Sequence, residues 1–284
     1  MLCTGKFVTS SGIPAFSIPF IGGVTLIQLW HGVPLKQIGV NRKEYHPRNL
    51  IEYDYLFVNS KMEIDAFSIY FDEAIVSGYP RNDIFHREID GSDIGVRDGV
   101  AGELKQLRSE RTVIGYFPTW RRFYSTDAPI NFERLDRELD DMDAHLLIKP
   151  HRSQEYDIST SELNNVTFHP PSGDLYPLFE HIDVLITDYS SICFDFLHLD
   201  RPIIYFPYDL ETYREKRGFY LDYESATPGP KAHDFDELVD TLYSVCERDE
   251  YNEERAEVYR EIFKHRDGMA SQRIINSVQN NGST

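Results

Sequence analysis

Short apolar runs alternate with longer amphipathic stretches along almost the whole chain, and this alternation limits the fold more than any other feature. Runs so short and so uniformly apolar are strands covered on both faces, and the stretches between them have the length and spacing of the helices that cover them. Strands are predicted at 24–29, 55–59, 74–77, 112–117, 144–149, 166–169, 184–187 and 202–206. Helices are predicted at about 60–71, at 131–140, 174–181 and 190–199, and from 234 to 278 with a break near 265–268. The polar stretch 90–109, helical or loose, connects two halves. Such a succession implies parallel sheets in a doubly wound α/β architecture.

Charge and composition remove several function classes. A net charge of −18 over 284 residues argues against a nucleic-acid binder, which needs a basic face to track phosphates, and against general adhesion to anionic membranes. Only nine of the 29 basic residues are lysines, a surface composition resembling that of salt-adapted proteins. Cys3, Cys193 and Cys246 lie far apart with no CxxC pair, so neither a structural zinc site nor a disulfide framework is expected, and a reducing cytoplasm is. The apolar run 13–29 is interrupted by Pro14, Pro19, Gly22 and Gly23 and lacks the features of a signal peptide, so any membrane contact is expected to be peripheral.

In doubly wound sheets, ligands bind beyond the carboxyl ends of the strands. Four chemistry-bearing segments fall there: His31 after the 24–29 run, Pro118 to Arg121 after 112–117, His151 after 144–149, and Asp188 to Ser191 after 184–187. The stretch Thr187-Asp188-Tyr189-Ser190-Ser191 opens a predicted helix, where free backbone N–H groups, a partial positive charge and serine hydroxyls suit a diphosphate, although Ser190 alone reads equally well as a simple N-cap. His31 and His151 each sit on a strand-end turn, where an imidazole can take a proton from an attacking hydroxyl. The neighbours Lys149 and Arg152 give the second turn a cationic setting suited to phosphoryl oxygens. Pro118, Trp120 and Arg121 offer a rigid strand exit with stacking and cationic groups. Residues 213–220, with Arg214, Lys216 and Arg217, form a positive island that reads as a solvated helix face or, for Arg217, as a phosphate contact.

The motifs WHGxPLKxIG, SGYPRND, YxPTWR, KPH, DVLITDYSSICFDF, RPIIYFPYDLxxYxxxRGFYxD, a PGP loop and a final DGxAS occur in this order from about residue 24 to about residue 275. In content and order they resemble the CDP-glycerol glycerophosphotransferase family, which includes teichoic acid primases and polymerases. The resemblance implies a GT-B-like fold of two Rossmann-like lobes with parallel sheets. It implies transfer of glycerol phosphate, or ribitol phosphate in relatives, from a CDP-alditol to a hydroxyl on a lipid-linked or polymeric acceptor, with no metal or other cofactor. It places the enzyme in the cytoplasm, peripheral at the inner face of the membrane.

Carried over by motif, His31 is the general base and His151 stabilises the phosphates, while Thr187, Ser190, Ser191 and Arg217 hold the donor diphosphate. Gly229 of the PGP loop borders the nucleotide and Asp267 contacts the alditol hydroxyls, while Pro118 and Arg121, on the reading of the residues themselves, suit a nucleotide or an anion. Family members carry a longer catalytic stretch ahead of the WHG turn than the thirty residues before His31 here. The expectation is a truncated N-terminal, acceptor-side lobe over 1–110 and a whole donor-binding lobe over 111–284, with the last helices crossing back. Two other readings stay open: a GT-B glycosyltransferase using a nucleotide sugar, and an inactive homologue that only binds a CDP ligand.

Overall fold

The computed structural model describes residues 5–10, 23–37, 53–67, 74–87, 100–121, 128–149, 163–169 and 174–280. Two parallel sheets organise them. The N-terminal sheet contains β1 (Gly5–Thr9), β2 (Val24–Gln28), β3 (Tyr55–Val58) and β4 (Ala74–Val76), side by side in chain order. The C-terminal sheet contains β5 (Thr112–Tyr116), β6 (Ala144–Ile148), β7 (Val166–Phe168), β8 (Val184–Thr187) and β9 (Ile203–Tyr205), in the order β7-β6-β5-β8-β9. The direction of winding reverses at β5, so the crevice between the carboxyl ends of β5 and β8 is the switch point at which such sheets take ligands.

The second sheet is apolar because it is covered twice. Val113, Leu147, Leu185 and Ile203 face one buried cluster, while Ile114, Leu146, Ile148, Ile186 and Ile204 face the other. Alternation along a strand sends successive side chains to opposite faces. The first sheet follows the same rule with different cover. Leu56 and Val58 of β3 pack with Phe67 of α1 (Lys61–Phe67), whereas Phe57 packs with Ile27 of β2 and with Ile274 and Val278 of the last helix.

Among the described residues seven further α-helices follow: α2 (Val100–Glu110), α3 (Phe132–Asp141), α4 (Ile192–Phe196), α5 (Leu210–Lys216), α6 (Tyr223–Ala226), α7 (Phe235–Glu247) and α8 (Asn252–Ile262). The last helix, α9 (Ala270–Asn280), lies on the N-terminal sheet. Its first turn is held by Asp83, whose two carboxylate oxygens accept from the Ala270 and Ser271 N–H groups at 2.9 Å each. Its third-last residue, Val278, gives its carbonyl to Lys6 of β1 at 3.5 Å.

Several elements differ from expectation, among them an unpredicted 3-10 helix over Pro80–His86 and the short α6. β1 was not predicted, because only Phe7 and Thr9 of its five residues are even half-buried, and no apolar run marks it. The segment 174–181 forms a 3-10 turn over Tyr176–His181 in place of an α-helix. The helix expected to open at Ser190 opens at Ile192 and is five residues long.

Candidate active site

The carboxyl end of β2 runs into an unusual turn. Trp30 adopts φ +58°, a left-handed conformation costly for an aromatic residue, and its N–H donates to Gln28 Oε1 at 2.8 Å. The indole is fixed by an edge contact with Phe67 and lies beside the His31 ring, with both centroid separations 4.6 Å. His31 Nδ1 is 2.7 Å from the Ser10 carbonyl oxygen. A carbonyl only accepts, so Nδ1 carries the proton and Nε2 presents the lone pair. The ring reaches solvent, yet enough protein surrounds it for desolvation to lower its pKa below the usual imidazole value; Ser10 opposes this, and Arg81 and Lys36 add to it. A neutral imidazole with a fixed tautomer is the form a general base requires.

Gly32 brings this turn against the other lobe. It sits at φ +153°, and a Cβ there would overlap Ser191 Oγ, lie 2.9 Å from Ser191 Cβ and 3.6 Å from Arg81 Nη2. Glycine is therefore what allows the His31 turn to rest on the Ser190-Ser191 turn. Beyond it, residues 33–37 extend along the C-terminal lobe, antiparallel to 218–221. Lys36 pairs with Phe219, the Gln37 N–H donates to the Gly218 carbonyl at 3.2 Å, and the Tyr220 N–H donates to the Leu35 carbonyl at 2.9 Å.

The serine turn is held from beneath. Asp188 accepts from the Thr119 N–H at 2.9 Å and from its neighbour Tyr189 at 2.5 Å, and it forms an ion pair with Arg121. Arg121 also bonds both oxygens of Asp209, through Nε at 2.9 Å and Nη2 at 2.8 Å, and lies over the rings of Tyr189, Tyr208 and Tyr213. The Tyr189 hydroxyl donates to Asp209 at 2.8 Å. This network joins the ends of β5 and β8 across the switch point. Ser190 and Ser191 remain half-buried at its surface, and the Ser190 hydroxyl accepts from the Ile192 N–H at a long 3.4 Å.

Several predicted site residues have other work. The Thr187 side chain is fully buried and its hydroxyl donates inward to the Phe117 carbonyl at 2.8 Å, which fixes the turn. Arg121, with 5% of its side chain exposed, is spent on Asp188 and Asp209. Pro118 stays half-buried at the strand exit between them. Gly229 is buried where the PGP loop runs along β9: the Tyr205 N–H donates to the Pro230 carbonyl at 2.9 Å, and a Cβ on Gly229 would overlap the Ile203 carbonyl oxygen. Arg217 is half-buried at the carboxyl end of α5, electrostatically coupled to Lys36.

Asp267 lies apart from the serine turn. It pairs with Arg273 and accepts from the Met269 N–H at 3.1 Å. With Asn59, Asn82, His198 and Gly268 it lines an open depression of about 220 Å³ between the lobes. His151 lies outside the described residues.

Arg81, Asp195, Glu63 and Tyr79 were not singled out by the sequence. Arg81 bonds both oxygens of Asp195 between the rings of Tyr79 and Tyr176. Glu63 is fully buried, accepts from the Asn59 N–H at 2.5 Å and from Tyr79 at 3.0 Å, and is pushed up to about 7 by desolvation. The SGYPRND motif that carries Tyr79 and Arg81 was the available signal. Among the described residues no group of His, Cys, Asp and Glu side chains is arranged to hold a metal ion, and no helix is long and apolar enough to cross a membrane.

Comparison with known proteins agrees with this geometry. Residues 1–280 match the family model of CDP-glycerol:poly(glycerophosphate) glycerophosphotransferases. The chain is 34% identical to the teichoic acid glycerol-phosphate transferase of Staphylococcus aureus (strain NCTC 8325 / PS 47), over 89% of this chain and 71% of that protein. It is 30% identical to the teichoic acid poly(glycerol phosphate) polymerase of Bacillus subtilis (strain 168), over 96% of this chain but only 39% of the polymerase. The wall teichoic acid polymerase TagF, solved after a soak with CDPG, superposes with a TM-score of 0.78 at 28% identity, covering 97% of this chain and 72% of that one. TagF is GT-B-like, and so is the fold described here. Motifs, sheet order and site geometry converge on one assignment: the chain belongs to the CDP-glycerol:poly(glycerophosphate) glycerophosphotransferase family.

Proposed function

We propose that this chain moves glycerol phosphate, or a closely related alditol phosphate, from a CDP-alditol to a hydroxyl acceptor in cell-wall polymer synthesis. The observation that carries the reading is the packing of Gly32 on Ser191, which sets a neutral, tautomer-fixed His31 at the edge of the serine turn. Ser190, Ser191 and Arg217 hold the donor diphosphate, with Asp188 and Arg121 fixing the turn beneath it. Nε2 of His31 takes the proton from the acceptor hydroxyl, and that oxygen attacks the phosphorus bearing the glycerol. The bond from this phosphorus to the bridging oxygen breaks, and CMP leaves. His151 keeps its proposed role of stabilising charge on the phosphates, and Asp267 that of contacting the alditol.

In-line displacement of this kind depends on alignment and on charge already in place, which a site built at the meeting of two lobes supplies. The acceptor is a lipid-linked or growing polymer, and the enzyme works in the cytoplasm, peripherally at the inner membrane face. Incubation with CDP-glycerol or with UDP-sugars, scored by release of CMP or UDP, tests the reading. CMP release dependent on an acceptor supports it. UDP release alone would assign the chain to sugar transfer, and CDP binding with no turnover under any acceptor would mark a binding protein.

A further inference from the structure

Two of the half-buried cations around the Gly32–Ser191 contact have carboxylate partners. Arg81 has Asp195, and Arg121 has Asp188 and Asp209. Lys36 has no carboxylate within ion-pair distance among the described residues, although the surrounding chain is strongly acidic. Its backbone position is fixed by the antiparallel pairing of Lys36 with Phe219, between the fully buried Leu35 and a Gln37 bonded to Gly218. The bridge to Phe219 sets Lys36 of the N-terminal lobe on the C-terminal one, where the charges of Asp188, Arg217, Cys193 and Arg121 act on its ammonium. Asp188 and Cys193 flank Ser190 and Ser191 in the chain, so Lys36 stands behind the serine turn. Asp188, the only carboxylate in that set, is already engaged by Arg121 and two backbone N–H groups.

A cation held in such a place needs an anion to offset its desolvation. We propose that Lys36 is a ligand of the donor diphosphate, reaching it across the lobe boundary so that an occupied donor site binds both lobes through one charge. The inference rests on the donor reading given above. Burial lowers the Lys36 pKa to about 8, with Arg217 and Arg121 adding to the effect and Asp188 and Cys193 opposing it. An anion favours the protonated form, so affinity for a diphosphate is full below pH 8 and declines above it, and binding takes up protons in that range.

The test uses the full chain and CDP, with cytidine as the ligand lacking phosphate, followed by calorimetry from pH 7.5 to 9.5 in buffers of differing ionisation enthalpy. Wild-type affinity for CDP is expected to fall over this range with proton uptake, while that for cytidine stays flat. Lys36→Met is expected to weaken CDP roughly 10- to 100-fold, as for loss of a hydrogen bond to a charged group, leaving cytidine unchanged. Lys36→Arg retains the charge and is expected to bind CDP without the alkaline decline. A folded Lys36→Met that binds CDP within about twofold of wild type, with the same pH profile, overturns the proposal. Should that variant fail to fold, a wild-type CDP affinity independent of pH overturns it equally. Wild-type protein that binds UDP and not CDP refutes the donor reading alone, and the same variants scored with UDP then decide Lys36. Binding of neither nucleotide refutes both.

Discussion

Arg81 Nη2, on the N-terminal lobe, donates to both oxygens of Asp195 on the C-terminal lobe, at 3.1 and 2.9 Å, while the Tyr176 hydroxyl donates to the same carboxylate at 2.7 Å. Asp195 is almost wholly buried, so removing its partner strands a charge in a medium that cannot solvate it. Arg81→Met is expected to cost about 3 kcal/mol in denaturant unfolding, and Asp195→Asn in the same background is expected to recover part of that loss. Equal losses that simply add would show that the pair does not couple the lobes.

Gly32→Ala places a methyl group into Ser191 and forces a backbone angle that alanine disfavours. The lobes must separate or the His31 turn must move. The expected result is a loss of transfer of at least about 100-fold, since small misplacement of a reacting group is costly. CDP affinity should fall much less. Ser191→Gly in the same chain makes room and is expected to restore part of the rate.

His31→Ala is expected to reduce transfer by about 100- to 10,000-fold, the range for losing a general base, with CDP binding nearly unchanged. In the wild type, desolvation holds the imidazole below its ordinary value, so the acid side of the rate profile should have its midpoint below pH 6.5. A midpoint above 7 would show that another group is the base.

Glu63 supplies a test on stability. Its carboxyl is raised from 4.5 to about 7 in the fold, so the native state holds the proton more tightly than the unfolded chain. Its contribution therefore declines as pH rises from 4.5 to 7 and stays low above that. Glu63→Gln removes this slope. The stability of the variant relative to wild type is expected to improve by a few kcal/mol between pH 4.5 and 8, measured by urea unfolding at each pH. A constant difference would refute the raised value.

How legible all this was in the sequence depended on how local the cause is. The strand β8 and its neighbours were evident because a parallel strand covered on both faces must be apolar throughout. β1 was hidden because Gly5, Lys6 and Val8 are exposed. The serine turn was found, but its helix starts two residues late, since Ser190 and Ser191 are both used in the turn itself. Thr187 was assigned to the diphosphate by its place in the motif; in the structure its hydroxyl is buried against the Phe117 carbonyl. The Arg81–Asp195 pair joins positions 114 residues apart, and no local pattern announces such a partner.

The last helix has a consequence for how this architecture can be recombined. The N-terminal sheet owes one of its faces to Ile274 and Val278, and the Asp83 carboxylate is matched to the first turn of that helix. A hybrid that took residues 1–110 from one relative and 111–284 from another would join a sheet to a cover evolved for a different surface. A hybrid made by swapping halves between family members is therefore expected to fold only when residues 263–280 travel with the first sheet, so that the inherited unit is discontinuous in sequence.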